Sequence, residues 1–193
     1  MKLILASKSV ARQNMLRAAG LDFDAHPADI DESLIQNANF SAFETAQSLA
    51  SEKALKVAEK FPDRLVIGSD QILACESKML HKASSIDEAS EKLKILRGKS
   101  HQLISAISVV RGDKVLWQEA QTASLTMHNF SDEFLANYLN KAGEALTRSV
   151  GAYELESIGV QLFDKIEGDY FTILGMPLLP LLTYLRQEQG LVI

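Results

Sequence analysis

The hydrophobic period of this chain changes repeatedly between that of a strand and that of a helix. Short apolar runs at 3–6 and 65–67 alternate with longer segments in which apolar residues recur every three or four positions. Ser41 stands three residues before Glu44 at the start of one such segment, which predicts a capped helix. Helices and strands in mixed order predict an α/β fold with a mixed β-sheet and flanking helices.

The second half of the chain continues this pattern and adds a hairpin. Ser85 and Glu88 predict a second capping box. The runs at 103–110 and 115–125 are rich in β-branched and apolar residues and are separated by a short turn, which predicts a long β-hairpin. Because no linker or repeat interrupts the 193 residues, a single domain over 1–193 is expected, with two lobes around a cleft.

Composition excludes several classes of protein. Twenty Lys and Arg against 25 Asp and Glu give a net charge of −5, which favours neither a nucleic-acid nor a membrane partner. The single Cys75 excludes an internal disulfide and a cysteine zinc cluster. The apolar run at 3–6 is too short for a signal peptide, and that at 173–185 is shorter than the ~20 residues of a membrane span. A cytoplasmic protein is expected.

A loop with two hydroxyls and two cations follows the first apolar run. Ser7, Lys8, Ser9 and Arg12 lie where a strand ends and a helix begins. The free N–H groups of a helix start favour an anion such as phosphate. On this segment alone, the structural interpretation is favoured, in which Ser9 is only a helix cap and Lys8 a solvated side chain.

Carboxylates and lysines elsewhere have two interpretations each. The apolar strand at 65–67 is predicted to break at 68–71, so Asp70 is either a functional carboxylate at a strand end or a turn aspartate. Glu32 lies in an acidic stretch that is either a surface loop or, together with Asp70, a source of oxygen ligands for Mg²⁺. Lys53 and Lys82 are surface lysines unless a shared cleft makes them phosphate ligands.

Four other features are not assigned to a functional site. The segment 97–100 imitates the end of a Walker loop but follows a helix instead of opening one, so a nucleotide kinase or GTPase is disfavoured. His101 is favoured as a structural histidine at a strand start, and Trp117 as a packing residue. Cys75 is expected in the core.

Several separated segments together resemble the Maf family of nucleoside triphosphate pyrophosphatases, in the family's order and over nearly the whole chain. They are LASKSVAR at 5–12, DES at 31–33, LASEKA at 49–54, VIGSDQ at 66–71, HKAS at 81–84, LRGKSH at 96–101, GAYELES at 151–157 and IEGDYFTILGMPL at 166–178.

The resemblance implies a fold related to ITP pyrophosphatases and a house-cleaning hydrolase of nucleotide metabolism. Such an enzyme cleaves a nucleoside triphosphate between its α and β phosphates, with a divalent metal, Mg²⁺ or Mn²⁺. The family was first linked to septum formation, and its members commonly form dimers, so a homodimer is one expected state. A non-catalytic nucleotide-binding regulator of septum formation is the alternative.

The resemblance also implies roles at matching positions. Ser7, Ser9 and Arg12 match the phosphate-binding loop, Glu32 the acidic partner, Lys53 the helix lysine, Asp70 the catalytic aspartate and Lys82 the second lysine. Asp70 is expected to take a proton from water, and Glu32 and Asp70 to hold the metal.

This chain departs from the family pattern at two places. Val10 and Ala11 replace a proline and the first of two arginines, which removes one phosphate or base contact. His81 and Ala83 replace the glycine and proline of the second lysine's loop without removing its charge. Weakened activity is therefore expected.

Two positions bear on the nucleotide base. Gln71 and Glu156 resemble the 7-methyl-GTP branch of the family, whereas the dTTP/UTP branch usually has Thr and Gln there. A carboxylate accepts the neighbouring N–H donors of guanine better than an amide does. Against this, that branch has an aromatic residue where Ala11 stands. A guanine-type or modified purine nucleotide is favoured, and a dTTP/UTP-type substrate is the alternative.

Overall fold

The structure, a computed structural model, describes residues 3–32, 40–76 and 78–191, so Ser33 of the segment 31–33 lies outside the described residues. The strands are β1 (Leu3–Leu5), β2 (Phe23–Ala25), β3 (Val66–Cys75), β4 (Lys78–Leu80), β5 (Ser100–Arg111), β6 (Lys114–Met127) and β7 (Phe163–Glu167). The helices are α1 (Val10–Ala18), α2 (Ala42–Ala58), α3 (Ile86–Leu96), α4 (Asp132–Ala142), α5 (Ala145–Arg148), α6 (Tyr170–Ile173) and α7 (Leu178–Gln189), with a 3₁₀ helix over Ile158–Leu162.

The strands form one mixed sheet in the order β2-β1-β3-β5-β6-β7, with β4 paired to β3. β1 is parallel to both of its neighbours, and Ile4 lies opposite Asp24 and Val66. β4 is antiparallel to β3, and β7 to β6. The predicted α/β class with a mixed sheet is therefore confirmed.

The chain forms two compact units. The first comprises Met1–Gln71, Ile104–Gln121 and Asp169–Ile193. Within it, successive side chains of β1 point to opposite faces of the sheet. Leu3 and Leu5 join an apolar cluster with residues of α1 and α7, whereas Ile4 and Ala6 join one with residues of α2. Helices thus cover both faces of this part of the sheet.

The second unit comprises Ile72–Leu103 and Thr122–Gly168. It contains α3, α4 and α5, and its buried side chains include Leu93, Leu125 and Leu162. Ser85 caps α3 by accepting a hydrogen bond from the Glu88 N–H, as predicted.

The prediction of a complete capping box at Ser85 and Glu88 is wrong, because the Glu88 carboxylate does not bind the Ser85 N–H. The Glu88 carboxylate accepts from the N–H of Ser84, at 2.7 Å, and from the Ser84 hydroxyl, at 2.8 Å. The capping box of α2 at Ser41 and Glu44 is complete, as predicted.

Two further predictions concern strands. The predicted hairpin is present as β5 and β6, joined by Gly112 and Asp113, with φ of +59° at Gly112. The predicted break at 68–71 is wrong, because β3 runs without interruption and Asp70 lies inside it. No helix in the described part of the chain is long and apolar enough to cross a membrane.

Candidate active site

A close contact between α2 and β3 sets the position of the first site residues. A Cβ atom at Gly68 would lie 2.1 Å from the carbonyl oxygen of Ala50, so only glycine lets the two backbones approach this closely. Side chains two positions apart on a strand share a face, which directs Asp70 towards α2. On α2, Lys53 lies between the two residues that Gly68 contacts, Ala50 and Ala54.

The Lys53 ammonium forms ion pairs with two carboxylates. Its Nζ lies 2.5 Å from Asp70 Oδ1 and 2.7 Å from Glu32 Oε1. The side chains of Lys53 and Asp70 are 14% and 10% exposed, whereas that of Glu32 is 50% exposed. One buried cation therefore holds two acidic groups together, with Glu32 on the solvent side.

Burial raises the pKa of the Asp70 carboxyl above its ordinary value. The positive charges of Lys53 and Arg12 act in the opposite direction, and the Glu32 carboxylate adds to the increase. A carboxylate with a raised pKa is a stronger base once it is ionised. Asp70 is therefore suited to accept a proton.

Arg12 is anchored to the first unit by three hydrogen bonds. Its Nε donates to the carbonyl oxygen of Gly175 at 2.8 Å, and its Nη1 donates to the carbonyl oxygen of Ser69 at 2.9 Å and to the hydroxyl of Ser7 at 3.4 Å. Burial lowers the pKa of this guanidinium, while the charges of Asp70 and Glu32 raise it. Since a guanidinium has five N–H donors, it can also bind an anion.

The hydroxyls of the opening loop order the start of α1. Ser9 caps the helix, and its Oγ accepts from the Arg12 N–H at 3.4 Å, so the cap interpretation of Ser9 is confirmed. The buried Ser7 Oγ accepts from the Ser9 N–H at 3.2 Å. The loop thus places the N-terminus of α1 beside the Arg12 guanidinium, an arrangement that favours an anion.

Gln71 faces the opposite side of β3 from Asp70. Its Nε2 lies within hydrogen-bond distance of the Ser105 hydroxyl, at 3.0 Å, and of the carbonyl oxygens of Thr172 and Ile173, at 3.1 and 2.9 Å. Carbonyls only accept, so the amide nitrogen must face them, and its oxygen is the atom that Gln71 can offer to a ligand.

Lys82 and Glu156 belong to the second unit. Lys82 lies in the loop between β4 and α3. Glu156 is exposed, whereas the neighbouring Glu154 accepts two hydrogen bonds from Arg148, at 2.9 and 2.8 Å. One region of the first unit is surrounded by five of the predicted site residues: Ser7, Arg12, Glu32, Lys53 and Asp70.

Sequence reasoning missed residues that hold the site in place. Ser69 is fully buried, and its hydroxyl donates to the carbonyl oxygens of Ala106 and Gly175. Gly175 has a φ of +107°, and a Cβ there would lie 3.4 Å from Arg12 Nη2 and 3.7 Å from Gln71 Oε1. The glycine inside the segment 166–178 was the available signal, but its partner Arg12 is remote in sequence.

The residues interpreted as structural are packed as predicted. His101 is 2% exposed, and its Nε2 lies 2.6 Å from Tyr153 Oη. Burial lowers the pKa of His101 to about 4. Trp117 stacks on Tyr184 with ring centroids 5.0 Å apart, and Cys75 is buried.

Comparison with known proteins identifies the family. The model of Maf-like proteins matches residues 2–188. The chain belongs to the Maf family. Among relatives, a nucleoside triphosphate pyrophosphatase of Granulibacter bethesdensis is 48% identical over the whole of both chains. A 7-methyl-GTP pyrophosphatase of Rhizobium etli is 48% identical over 96% of each chain.

Solved structures resemble this Maf protein more distantly. A HAM1 protein from Coxiella burnetii matches with a TM-score of 0.47 and 13% identity, over 67% of this chain and 74% of that one.

Proposed function

We propose that this Maf protein hydrolyses a nucleoside triphosphate to the monophosphate and pyrophosphate. The observation that carries the proposal is the arrangement of a buried carboxylate, Asp70, with two cations. One is Lys53, and the other is Arg12, which lies at the start of helix α1. Such an arrangement combines a proton acceptor with donors for a highly charged phosphate chain. Relatives at 48% identity over almost the whole chain bear the corresponding name.

In this mechanism Asp70 takes a proton from the attacking water. Burial favours its neutral form, and the adjacent cations keep the ionised form accessible. Lys53 orients the carboxylate through the contact at 2.5 Å. Asp70 therefore acts as the general base, and Lys53 positions it.

The cations bind the phosphates. Lys53 has three N–H donors, two of which face Glu32 and Asp70, so one is available to a phosphate oxygen. Arg12 offers the donors that its three protein contacts do not use. In our proposal Lys82 also binds phosphate, as the family resemblance implies. Together they stabilise the charge that develops on the leaving pyrophosphate.

A divalent metal fits the donor set around Lys53. Among the described residues no group of three or more His, Cys, Asp or Glu side chains is placed to hold a metal. Glu32 and Asp70 are, however, two carboxylates that meet at one ammonium. Mg²⁺ is commonly bound by one or two carboxylates plus substrate phosphates. Glu32 and Asp70 would hold Mg²⁺ or Mn²⁺, which would neutralise phosphate charge.

The nucleotide is proposed to be of the guanine type, 7-methyl-GTP included. Gln71 offers its amide oxygen as an acceptor for an N–H donor on a base; guanine has such a donor, as do thymine and uracil, so the choice depends on Glu156. Glu156 is an exposed carboxylate that can accept from neighbouring donors, as guanine presents. Several relatives at 47–48% identity are named 7-methyl-GTP pyrophosphatase. The alternative remains a dTTP/UTP-type substrate.

Turnover distinguishes the enzyme from a non-catalytic nucleotide-binding regulator. Pyrophosphate release should be measured with Mg²⁺, Mn²⁺ and EDTA for 7-methyl-GTP, GTP, dTTP and UTP. We expect metal-dependent release of pyrophosphate, fastest with a guanine-type nucleotide. Nucleotide binding without pyrophosphate release would favour the regulator, and fastest release from dTTP or UTP would favour the pyrimidine alternative.

Glu156→Gln tests the choice of base. The amide replaces one of two acceptors with a donor and leaves an N–H group of guanine unmatched. We expect efficiency towards 7-methyl-GTP and GTP to fall roughly 5–150-fold, while dTTP and UTP lose less or gain. Glu154→Gln, at the carboxylate bound by Arg148, is the matched control. An unchanged ratio between nucleotides would remove Glu156 from the base site.

A homodimer, implied by the resemblance, and a cytoplasmic location, expected from the sequence, belong to this proposal. Sedimentation of the purified protein across a range of concentrations tests the dimer.

A further inference from the structure

Lys92 is a buried lysine on the apolar face of α3. It lies among Ala89, Leu93 and Leu96, which are all buried, and is itself 7% exposed. Burying an ammonium is costly unless hydrogen bonds replace its water. Its Nζ donates to the backbone carbonyl oxygens of His81 and of Val150, the latter at 2.9 Å.

The two carbonyls belong to the two segments that carry the second unit's proposed site residues. His81 directly precedes Lys82. Val150 begins the segment that leads through Tyr153 to Glu156. One side chain therefore contacts both segments.

Each segment has further anchors but lacks regular structure of its own. The loop of Lys82 is also held by Glu88, one helical turn before Lys92, through its two hydrogen bonds to Ser84. On the other segment, the Tyr138 hydroxyl donates to the carbonyl oxygen of Ala152 at 3.0 Å. Lys92 joins the two segments directly through its two hydrogen bonds.

We propose that Lys92 is a positioning residue that fixes the Lys82 loop and the Glu156 segment relative to each other. The proposal rests on the proposed function, in which Lys82 binds phosphate and Glu156 reads the base. Ala83 stands where the family pattern has a proline, so the Lys82 loop lacks the restriction that a proline places on φ, and side-chain contacts from α3 order it instead.

The electrostatics of α3 agree with this role. The pKa of Lys92 is lowered to about 8, chiefly because burial disfavours the charged form; Glu88 opposes this shift, and the neighbouring Lys82 adds to it. The ammonium thus lies at a site that disfavours its charge. What it contributes there is its two hydrogen bonds to backbone carbonyls.

The test compares Lys92→Met with Lys94→Met. The first change keeps the apolar stem and removes both contacts, whereas the second removes an exposed lysine of the same helix, which pairs with Glu91. We expect Lys92→Met to raise amide hydrogen exchange at least tenfold at 81–84 and at 149–157. We also expect catalytic efficiency to fall roughly 10–100-fold, with Lys94→Met close to wild type.

A double variant separates positioning from general destabilisation. Because Lys92 acts partly through Lys82, Lys82→Met with Lys92→Met should lose less activity than the two single losses combined. Lys92→Arg, which keeps two donors, should recover most of the activity. A fully additive loss, or unchanged exchange in both segments, would overturn the proposal.

Failure of the proposed function has a different signature. If Lys82→Met has full activity, the role of Lys82 is wrong, and the exchange measurement decides the role of Lys92. If Lys92→Met does not fold, Lys92→Gln takes its place, because its amide reaches at most one carbonyl. Unchanged exchange in this variant likewise overturns the inference.

Discussion

The proposed site residues of the two units are held in place by different means. In the first unit, Lys53 on α2 and Asp70 on β3 bind each other directly, and their helix and strand are in backbone contact at Gly68. In the second unit, Lys82 and Glu156 lie in segments outside the long helices and strands. The backbone of these segments is held by side chains such as Lys92.

The way in which each residue is held agrees with the role proposed for it in catalysis or in nucleotide recognition. A proton transfer requires atoms at hydrogen-bond distance, and side chains on packed elements are held more accurately than those on loops. Where a segment is held by contacts to its backbone, its side chains can be substituted without loss of those contacts. We therefore expect substitutions at Lys53 and Asp70 to affect turnover, and those at Glu156 to affect which nucleotide is preferred.

The strongest way to break the first arrangement is Asp70→Asn. The amide cannot accept a proton from water, so turnover should fall roughly 10²–10⁴-fold while nucleotide binding persists. Steady-state kinetics and calorimetric titration with nucleotide and with Mg²⁺ check this expectation. Asp113→Asn, in the exposed turn after β5, is the control. Near-normal turnover in Asp70→Asn would exclude Asp70 as the base.

Lys53→Met removes the cation shared by Asp70 and Glu32. Efficiency should fall roughly 10²–10³-fold, because a phosphate donor and the orientation of Asp70 are lost together. The positive charge of Lys53 lowers the pKa of Asp70, so that pKa should rise in the variant. The acid limb of the pH–efficiency profile should therefore move to higher pH.

The control for Lys53 is Lys56→Met, on the exposed side of the same helix, where Lys56 pairs with Glu59. It should keep both the efficiency and the acid limb of the wild type. An acid limb that stays in place in Lys53→Met would show that Asp70 does not control it.

His101 tests the anchoring of the second unit through its response to acid. Its pKa is lowered to about 4 from 6.5, so below pH 6.5 the unfolded chain binds a proton that the native histidine does not. Stability should therefore fall between pH 6.5 and 4, by up to about 3 kcal/mol. His101→Gln should show a flatter dependence in urea unfolding. Parallel curves for the two proteins would contradict this assignment.

Gly68→Ala tests the contact on which the first arrangement depends. The added Cβ would meet the Ala50 carbonyl at 2.1 Å, which should cost about 1–3 kcal/mol of stability and separate Lys53 from Asp70. Gly143→Ala, where nothing lies within 4 Å of the added atom, should cost stability through its φ of +57° but leave turnover intact. Equal turnover in both variants would mean that the contact does not set the site.

The sequence predicted regular elements well where local signals agree. Ser41 and Glu44 form the predicted capping box, and the β5–β6 hairpin follows its β-branched runs. The prediction of a break in β3 was wrong. It was made because Gly68 and Ser69 are residue types that are common in turns. The glycine instead makes room for α2, a tertiary reason that no local pattern contains.

The site was less accessible to local reasoning. Residue spacing paired Glu32 with Asp70 only as one of two interpretations and left Lys53 as a surface lysine, so the family resemblance was needed to group Lys53 with Asp70. Their ion pairs join segments that tertiary folding brings together. Lys92 did leave a signal, since it occupies a position on the apolar stripe of α3 that its neighbours Ala89 and Leu96 predict to be buried.

The bond from Arg12 to the Gly175 carbonyl has a consequence for the order in which the protein becomes active. The two residues are 163 positions apart. A nascent chain emerges from the ribosome in sequence order, and contacts of such long range form late in folding. The guanidinium therefore lacks one of its anchors until residue 175 has been synthesised. A shorter chain arrested before that point should contain α1, α2 and β3 and still bind nucleotide poorly.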